Sequence, residues 1–82
     1  MQKITLYTTL GCHLCEQAEK MVNHLIDNKL ANCRLSSVEI SDHDGLVDRY
    51  GIRIPVLAIG DSELGWPFDI TELQSWINQP RR

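Results

Sequence analysis

Two cysteines with two residues between them, Cys12-His13-Leu14-Cys15, stand where an alternating stretch gives way to a helical one. That junction constrains the chain more than any other feature. Before it, Gln2 to Thr8 puts Ile4 and Leu6 on one face and Lys3, Thr5 and Tyr7 on the other. Period two with Thr and Tyr is the pattern of a strand with one buried face. Thr9-Leu10-Gly11 breaks the alternation. From the cysteines onward, Leu14, Ala18, Met21, Val22, Leu25 and Ile26 recur at helical spacing, with Glu16, Lys20, Asn23 and Asp27 opposite them. The spacing predicts a helix from about Cys12 to Asn28, with the thiols in its first turn. A strand that feeds straight into a helix commits the chain to an α/β arrangement.

The remaining elements follow from the same periodicities. Arg34 to Ile40 reads as a second strand, with Ser36, Val38 and Ile40 on one side. Ser41-Asp42-His43-Asp44 resembles a capping box, so Ser41 or Asp42 is the expected N-cap of a short helix carrying Leu46, Val47 and Tyr50. Gly51 suits the left-handed position that ends such a helix. Ile54-Pro55-Val56-Leu57-Ala58-Ile59 has the length of a buried strand, and Gly60-Asp61-Ser62 a turn into a short edge strand at Glu63-Leu64-Gly65. Asp69, with Glu72 three residues on, looks like the cap of a last helix whose inner face is Ile70, Leu73, Trp76 and Ile77. Pro80 stops that helix, and Arg81 and Arg82 read as a frayed tail. The order is β-α-β-α-β-β-α. The first two strands form a right-handed parallel crossover and the last two an antiparallel hairpin, giving a mixed four-stranded sheet.

With 82 residues the expectation is one domain over 1–82, burying only about 60% of its unfolded surface. A formal net charge of -3 argues against a nucleic-acid partner and against a polybasic membrane-surface patch. No apolar run approaches the roughly 20 residues of a membrane span, and MQKITLYTT lacks the features of a signal peptide. The sequence therefore predicts a soluble, cytoplasmic monomer. Three cysteines are too few, and odd in number, for a disulfide-stapled secreted miniprotein.

Cys-x-x-Cys in such a chain means a redox pair or half of a metal site, against the plain alternative of two thiols with no joint role. A helix N-terminus offers unpaired N–H groups and a partial positive charge, which together stabilise a thiolate. Cysteines so placed have pKa values lowered to about 3.5–7.5, against about 8.5 when free. Spacing of three residues on a helix puts both side chains on one face, close enough to bridge. The exposed first thiol then suits attack and the second, tucked against the first turn, suits resolution. A zinc site is the weaker reading, because four ligands are usual and there is no second Cys-x-x-Cys. His13 is either a helix-start imidazolium that favours the Cys12 thiolate or a solvated surface residue, and the Glu16 anion opposes any such lowering. Cys33 reads as an inert small residue starting the second strand, with glutathionylation as the minor alternative.

YTTLGCHLCEQAE followed by YGIRIPVL resembles the glutaredoxin branch of the thioredoxin superfamily, closest to its small glutaredoxin-like proteins. The resemblance runs from Lys3 to Asn78. It implies a thioredoxin-like fold with strand order 2-1-3-4 and thiol–disulfide oxidoreductase activity, with Cys12 and Cys15 as catalytic residues and redox-active disulfide. It also implies that Pro55 is a cis-proline facing the cysteines. His13, Ile54, Pro55 and Trp66 are then the substrate-binding candidates, the free backbone groups of Ile54 pairing with an extended thiol peptide. Trp66 and Phe68 either line an apolar groove or pack beneath the last helix.

Departures from the family pattern bear on glutathione. Glutaredoxins typically have Cys-Pro-Tyr-Cys, and often a Lys where this chain has Thr9. They also often have a Gly-Gly-x-Asp-like turn where this chain has Gly65-Trp66-Pro67-Phe68-Asp69. The expectation is no bound cofactor and only weak capture of glutathione as co-substrate. Partners are expected to be a disulfide-containing protein or a small thiol. The alternative function is a non-catalytic thioredoxin-fold binding module, serving as redox sensor or weak metal clip.

Overall fold

A computed structural model describes residues 2–80. β1 (Gln2–Thr8) leads to α1 (His13–Asp27) and β2 (Cys33–Glu39). A 3-10 turn over Ile40–Asp42 and the short α2 (Leu46–Tyr50) follow, then β3 (Val56–Ile59), β4 (Ser62–Gly65) and α3 (Ile70–Ile77). The strands form one sheet in the order β2-β1-β3-β4. β1 pairs parallel to β2 and antiparallel to β3, and β4 closes the hairpin antiparallel to β3. This is the mixed α/β sheet that the sequence predicts. Arg81 and Arg82 lie outside the described residues.

Register decides which side chains share a face. Ile4 stands opposite Leu35, Leu6 opposite Leu57, and Leu57 opposite Leu64. With Ile59 these residues pack under Ala18, Val22 and Leu25 of α1 and Leu73, Trp76 and Ile77 of α3, forming the main core. The other face is covered too. Tyr7, Val56 and Ile54 pack with Ile40, Leu46 and Tyr50 in a second, smaller cluster. Tyr7 stacks on Tyr50 with ring centroids 4.2 Å apart. β1 is thus buried at Ile4 and Leu6 and half-covered at Tyr7 on the opposite face, where alternation alone implies one covered face, while Lys3 stays exposed. β3, flanked by β1 and β4 and covered on both sides, is buried at every position, and its continuous apolar run reflects that.

Several local expectations change. The second strand starts at Cys33 and ends at Glu39, and Ile40 opens the 3-10 turn. That turn is capped by the Glu39 carboxylate, which accepts the Ser41 N–H, so neither Ser41 nor Asp42 caps α2. Gly45, with φ +86°, is the residue before α2. Gly51 is right-handed, because the chain stays tightly wound and Arg53 and Ile54 both donate to the Tyr50 carbonyl. Leu14 and Ile70 fit the apolar periodicity yet are exposed, each lying in the first turn of its helix, where the stripe runs past the edge of the core. Asp69 is the cap of α3 as expected, accepting the Glu72 N–H at 2.7 Å.

Candidate active site

The loop between β1 and α1 is a tight turn. The Cys12 N–H donates to the Thr9 carbonyl at 3.2 Å, and Gly11, third in the turn, has φ +83°. Glycine is favoured there because a side chain is strained at positive φ. Cys12 is the N-cap of α1, and its Sγ accepts the Cys15 N–H at 3.1 Å. It is also bonded to Cys15 in a disulfide, with the two Cα atoms 5.2 Å apart. Cys12 is half-buried and Cys15 buried, the asymmetry expected from their places in the first turn.

β-sheet register sets the surroundings of this turn. Tyr7 pairs with Val56, and Val56 with Gly65. Continuing those rows by one residue aligns Thr8, Pro55 and Trp66 at the end of the sheet from which the Cys12 loop departs. The Trp66 N–H donates to the Pro55 carbonyl at 3.1 Å, which ties the last two together. Pro55 is buried and the Ile54–Pro55 bond is cis, as is Trp66–Pro67. Phe68 belongs to the core, and Trp66 is half-buried against it in an edge-to-face contact 5.1 Å between centroids. The pair therefore packs into the main core, with Trp66 at its half-buried margin.

Two candidates stand differently from their expected roles. His13 turns outward, its side chain 87% exposed, with Nδ1 3.4 Å from Glu16. Ile54 is half-buried, and its N–H is taken by the Tyr50 carbonyl at 3.0 Å, so of its two backbone groups the N–H is already paired within the chain. The tight winding after α2 consumes that donor. Cys33 is buried in the main core at the start of β2, and burial pushes its thiol pKa up.

Sequence reasoning missed two polar groups that shape this end of the molecule. Glu39 lies opposite Thr8 at the end of β2. Its carboxylate accepts the Leu10 N–H at 2.7 Å and the Ser41 N–H at 3.1 Å. The Ser41 backbone donor, then Thr9 and Leu10, holds it below the usual carboxylate range against a smaller opposing effect of burial. Glu63 of β4 is the other. It accepts the Tyr50 hydroxyl at 2.6 Å and Arg53 at 3.1 Å, with Arg49 at 3.7 Å. Both arginines also lie over the Tyr50 ring. An acidic residue closing a strand just before a turn is the signal that could have pointed to Glu39, but its partner across a parallel register is not readable from spacing.

A model of the Glutaredoxin-like domain (DUF836) matches residues 3–78. The chain belongs to this glutaredoxin-like family. Its fold resembles the X-ray structure of Northeast Structural Genomics target protein XcR50 from X. campestris, with TM-score 0.73 and 38% identity over 92% of this chain and 95% of that one. The solution structure of the same target gives TM-score 0.75 and 37% identity over the whole of both chains. Among curated proteins, none matches. The family assignment fixes the thioredoxin-like fold around the Cys12–Cys15 turn. No helix of the described residues is long and apolar enough to cross a membrane.

Proposed function

We propose that this glutaredoxin-like protein is a thiol–disulfide oxidoreductase in which Cys12 attacks and Cys15 resolves. The observation that carries the reading is the position of the Cys12 sulfur, at the N-cap of α1 and within 3.1 Å of the Cys15 N–H. The donor that contacts the sulfur in the disulfide, the Cys15 N–H, is already in place to hold a thiolate once the bond is reduced. In the reduced protein, the Cys12 thiolate attacks one sulfur of a substrate disulfide and expels the other as a thiolate. Cys15 then loses its proton to solvent and attacks the Cys12 sulfur, closing the internal disulfide and releasing the second substrate thiolate. Two electrons pass to the substrate, and a dithiol or two monothiols must return them.

Cys15 is buried, which favours entry through Cys12. The substrate, a protein disulfide or a small thiol adduct, lies in this reading along Pro55 and the half-buried Trp66. Main-chain pairing at Ile54 is limited to its carbonyl, because Tyr50 holds the N–H. His13 contributes to the rim rather than to the reacting atoms. Such a cycle belongs in a reducing compartment, the cytoplasm.

The deciding experiment supplies the oxidised protein with glutathione or with thioredoxin reductase and follows reduction of a model disulfide. Turnover with either is expected in the unmodified protein. Cys12→Ser should abolish it, since a serine hydroxyl is not ionised near neutral pH. Cys15→Ser should trap the mixed disulfide on Cys12, visible by mass spectrometry. Full exchange activity in Cys12→Ser would end the proposal.

A further inference from the structure

We infer that Glu39 is a positioning residue for Cys12, clamping the Thr9–Cys12 turn to the end of β2 so that the sulfur sits at the start of α1. The inference rests on the reading of Cys12 as the attacking thiol and adds a residue to it.

Several observations converge. Thr9-Leu10-Gly11 carries little packing of its own: Leu10 is 95% exposed, and Gly11 has no side chain. The internal bond from Cys12 N–H to Thr9 closes the turn, but it does not attach the turn to the body of the protein. Glu39 does. One carboxylate oxygen takes the Leu10 N–H at 2.7 Å while the other takes the Ser41 N–H at 3.1 Å. The same side chain thus grips both the turn and the segment that leaves β2. A donor two residues before Cys12 is thereby fixed to a strand end in register with Thr8. Charge-assisted bonds of this kind are among the shorter and stronger ones.

A second consequence separates clamping from simple charge. As an anion near the site, Glu39 opposes a Cys12 thiolate; as a clamp, it favours one by keeping the sulfur at the helix N-terminus. The two effects predict opposite signs. Glu39→Ala removes charge and clamp, whereas Glu39→Gln removes the charge but keeps an oxygen that can accept from Leu10. His13 and Glu16, the ionisable groups beside Cys12 on α1, stay the same in both variants.

The test titrates Cys12 by its thiolate absorbance in reduced protein carrying Cys15→Ser and Cys33→Ser, and measures exchange with a small disulfide in the otherwise unmodified protein. In Glu39→Ala the Cys12 pKa should rise and exchange should slow about tenfold, the scale of one lost charge-assisted contact. Glu39→Gln, whose single amide oxygen can accept from Leu10 while its NH2 cannot accept from Ser41, should recover part of both. Hydrogen exchange of the Leu10 amide in the unmodified protein provides a measurement that needs no variant, and it should be protected despite the exposure of its side chain. A Cys12 pKa that falls or stays fixed in Glu39→Ala overturns the inference, as does a Leu10 amide exchanging at the free-peptide rate. Neither readout requires enzymatic turnover, so failure of the oxidoreductase reading would show itself separately, in the exchange assay of the unmodified protein.

Discussion

Removing one oxygen atom from the second cluster tests how the segment before Pro55 is held. Tyr50→Phe keeps the ring stacked on Tyr7 at 4.2 Å and keeps its burial, so the change isolates the hydroxyl that donates to Glu63 at 2.6 Å. A hydrogen bond to a charged group contributes about 1.5–3 kcal/mol. Glu63 retains Arg53 and Arg49 and is 26% exposed, so water can replace the lost donor and the lower part of that range applies. The expected loss is about 1.5–2 kcal/mol, or about 6–15 °C in Tm for a domain of this size. pH dependence provides an independent check. Burial first, and the bond to Glu63 second, pushes the Tyr50 pKa up to about 12. Above the free tyrosine value of about 10, the unfolded chain gives up this proton while the folded chain keeps it, so stability falls as pH rises between the two. Two pKa units amount to about 3 kcal/mol of alkaline loss, and Tyr50→Phe lacks that contribution. The assay is denaturant unfolding followed by tryptophan fluorescence, at about pH 8 and again at about pH 11. A large gap between the two proteins at the lower pH should shrink at the higher one. A deficit below about 0.5 kcal/mol at the lower pH, or a gap that does not change with pH, would refute the reasoning.

Weak use of glutathione is expected, because an uncharged Thr9 stands where a family Lys often does; reduction by glutathione should trail far behind a typical dithiol glutaredoxin in a coupled assay. Asp69→Ala removes the cap on the Glu72 N–H and should cost about 1 kcal/mol, read by thermal melting, with no change in Cys12 reactivity. Cys33→Ser should leave exchange rates unaltered while lowering stability, since a hydroxyl enters the main core; partial alkylation of the reduced protein should mark Cys12 first and Cys33 last.

The order of elements was readable because each has a clear period: Ile4 and Leu6 for β1, Ala18, Val22 and Leu25 for α1, the unbroken run of Val56–Ile59 for β3. The cysteine pair was readable because its spacing and its strand–helix setting are local. What escaped depends on contacts distant in sequence. Tyr7 looked solvent-facing until α2 covered it with Tyr50, and no periodicity in β1 announces that lid. Ser41 and Asp42 carry good capping chemistry, but Glu39 reaches the Ser41 N–H first and the chain forms a 3-10 turn there instead. Ile54 reads as open to a substrate strand because a backbone N–H shows no owner in a sequence. Its owner, the Tyr50 carbonyl, emerges only when the turn is wound.

The central place of β1 also sets the order in which the protein can be assembled at the ribosome. β1 is made before either of its neighbours, and its antiparallel partner, Val56–Ile59, is made late. At about 5–20 residues per second, some seconds separate the two, and a nascent β1-α1-β2 unit meanwhile carries an unpaired strand edge. Lys3 and Thr5, alternating with Ile4 and Leu6, are the polar interruptions that discourage sticky pairing of that edge with another nascent chain. Chains cut short before β3 should therefore be the aggregating species during expression, while the finished hairpin of β3 and β4 seals the edge and ends the exposure.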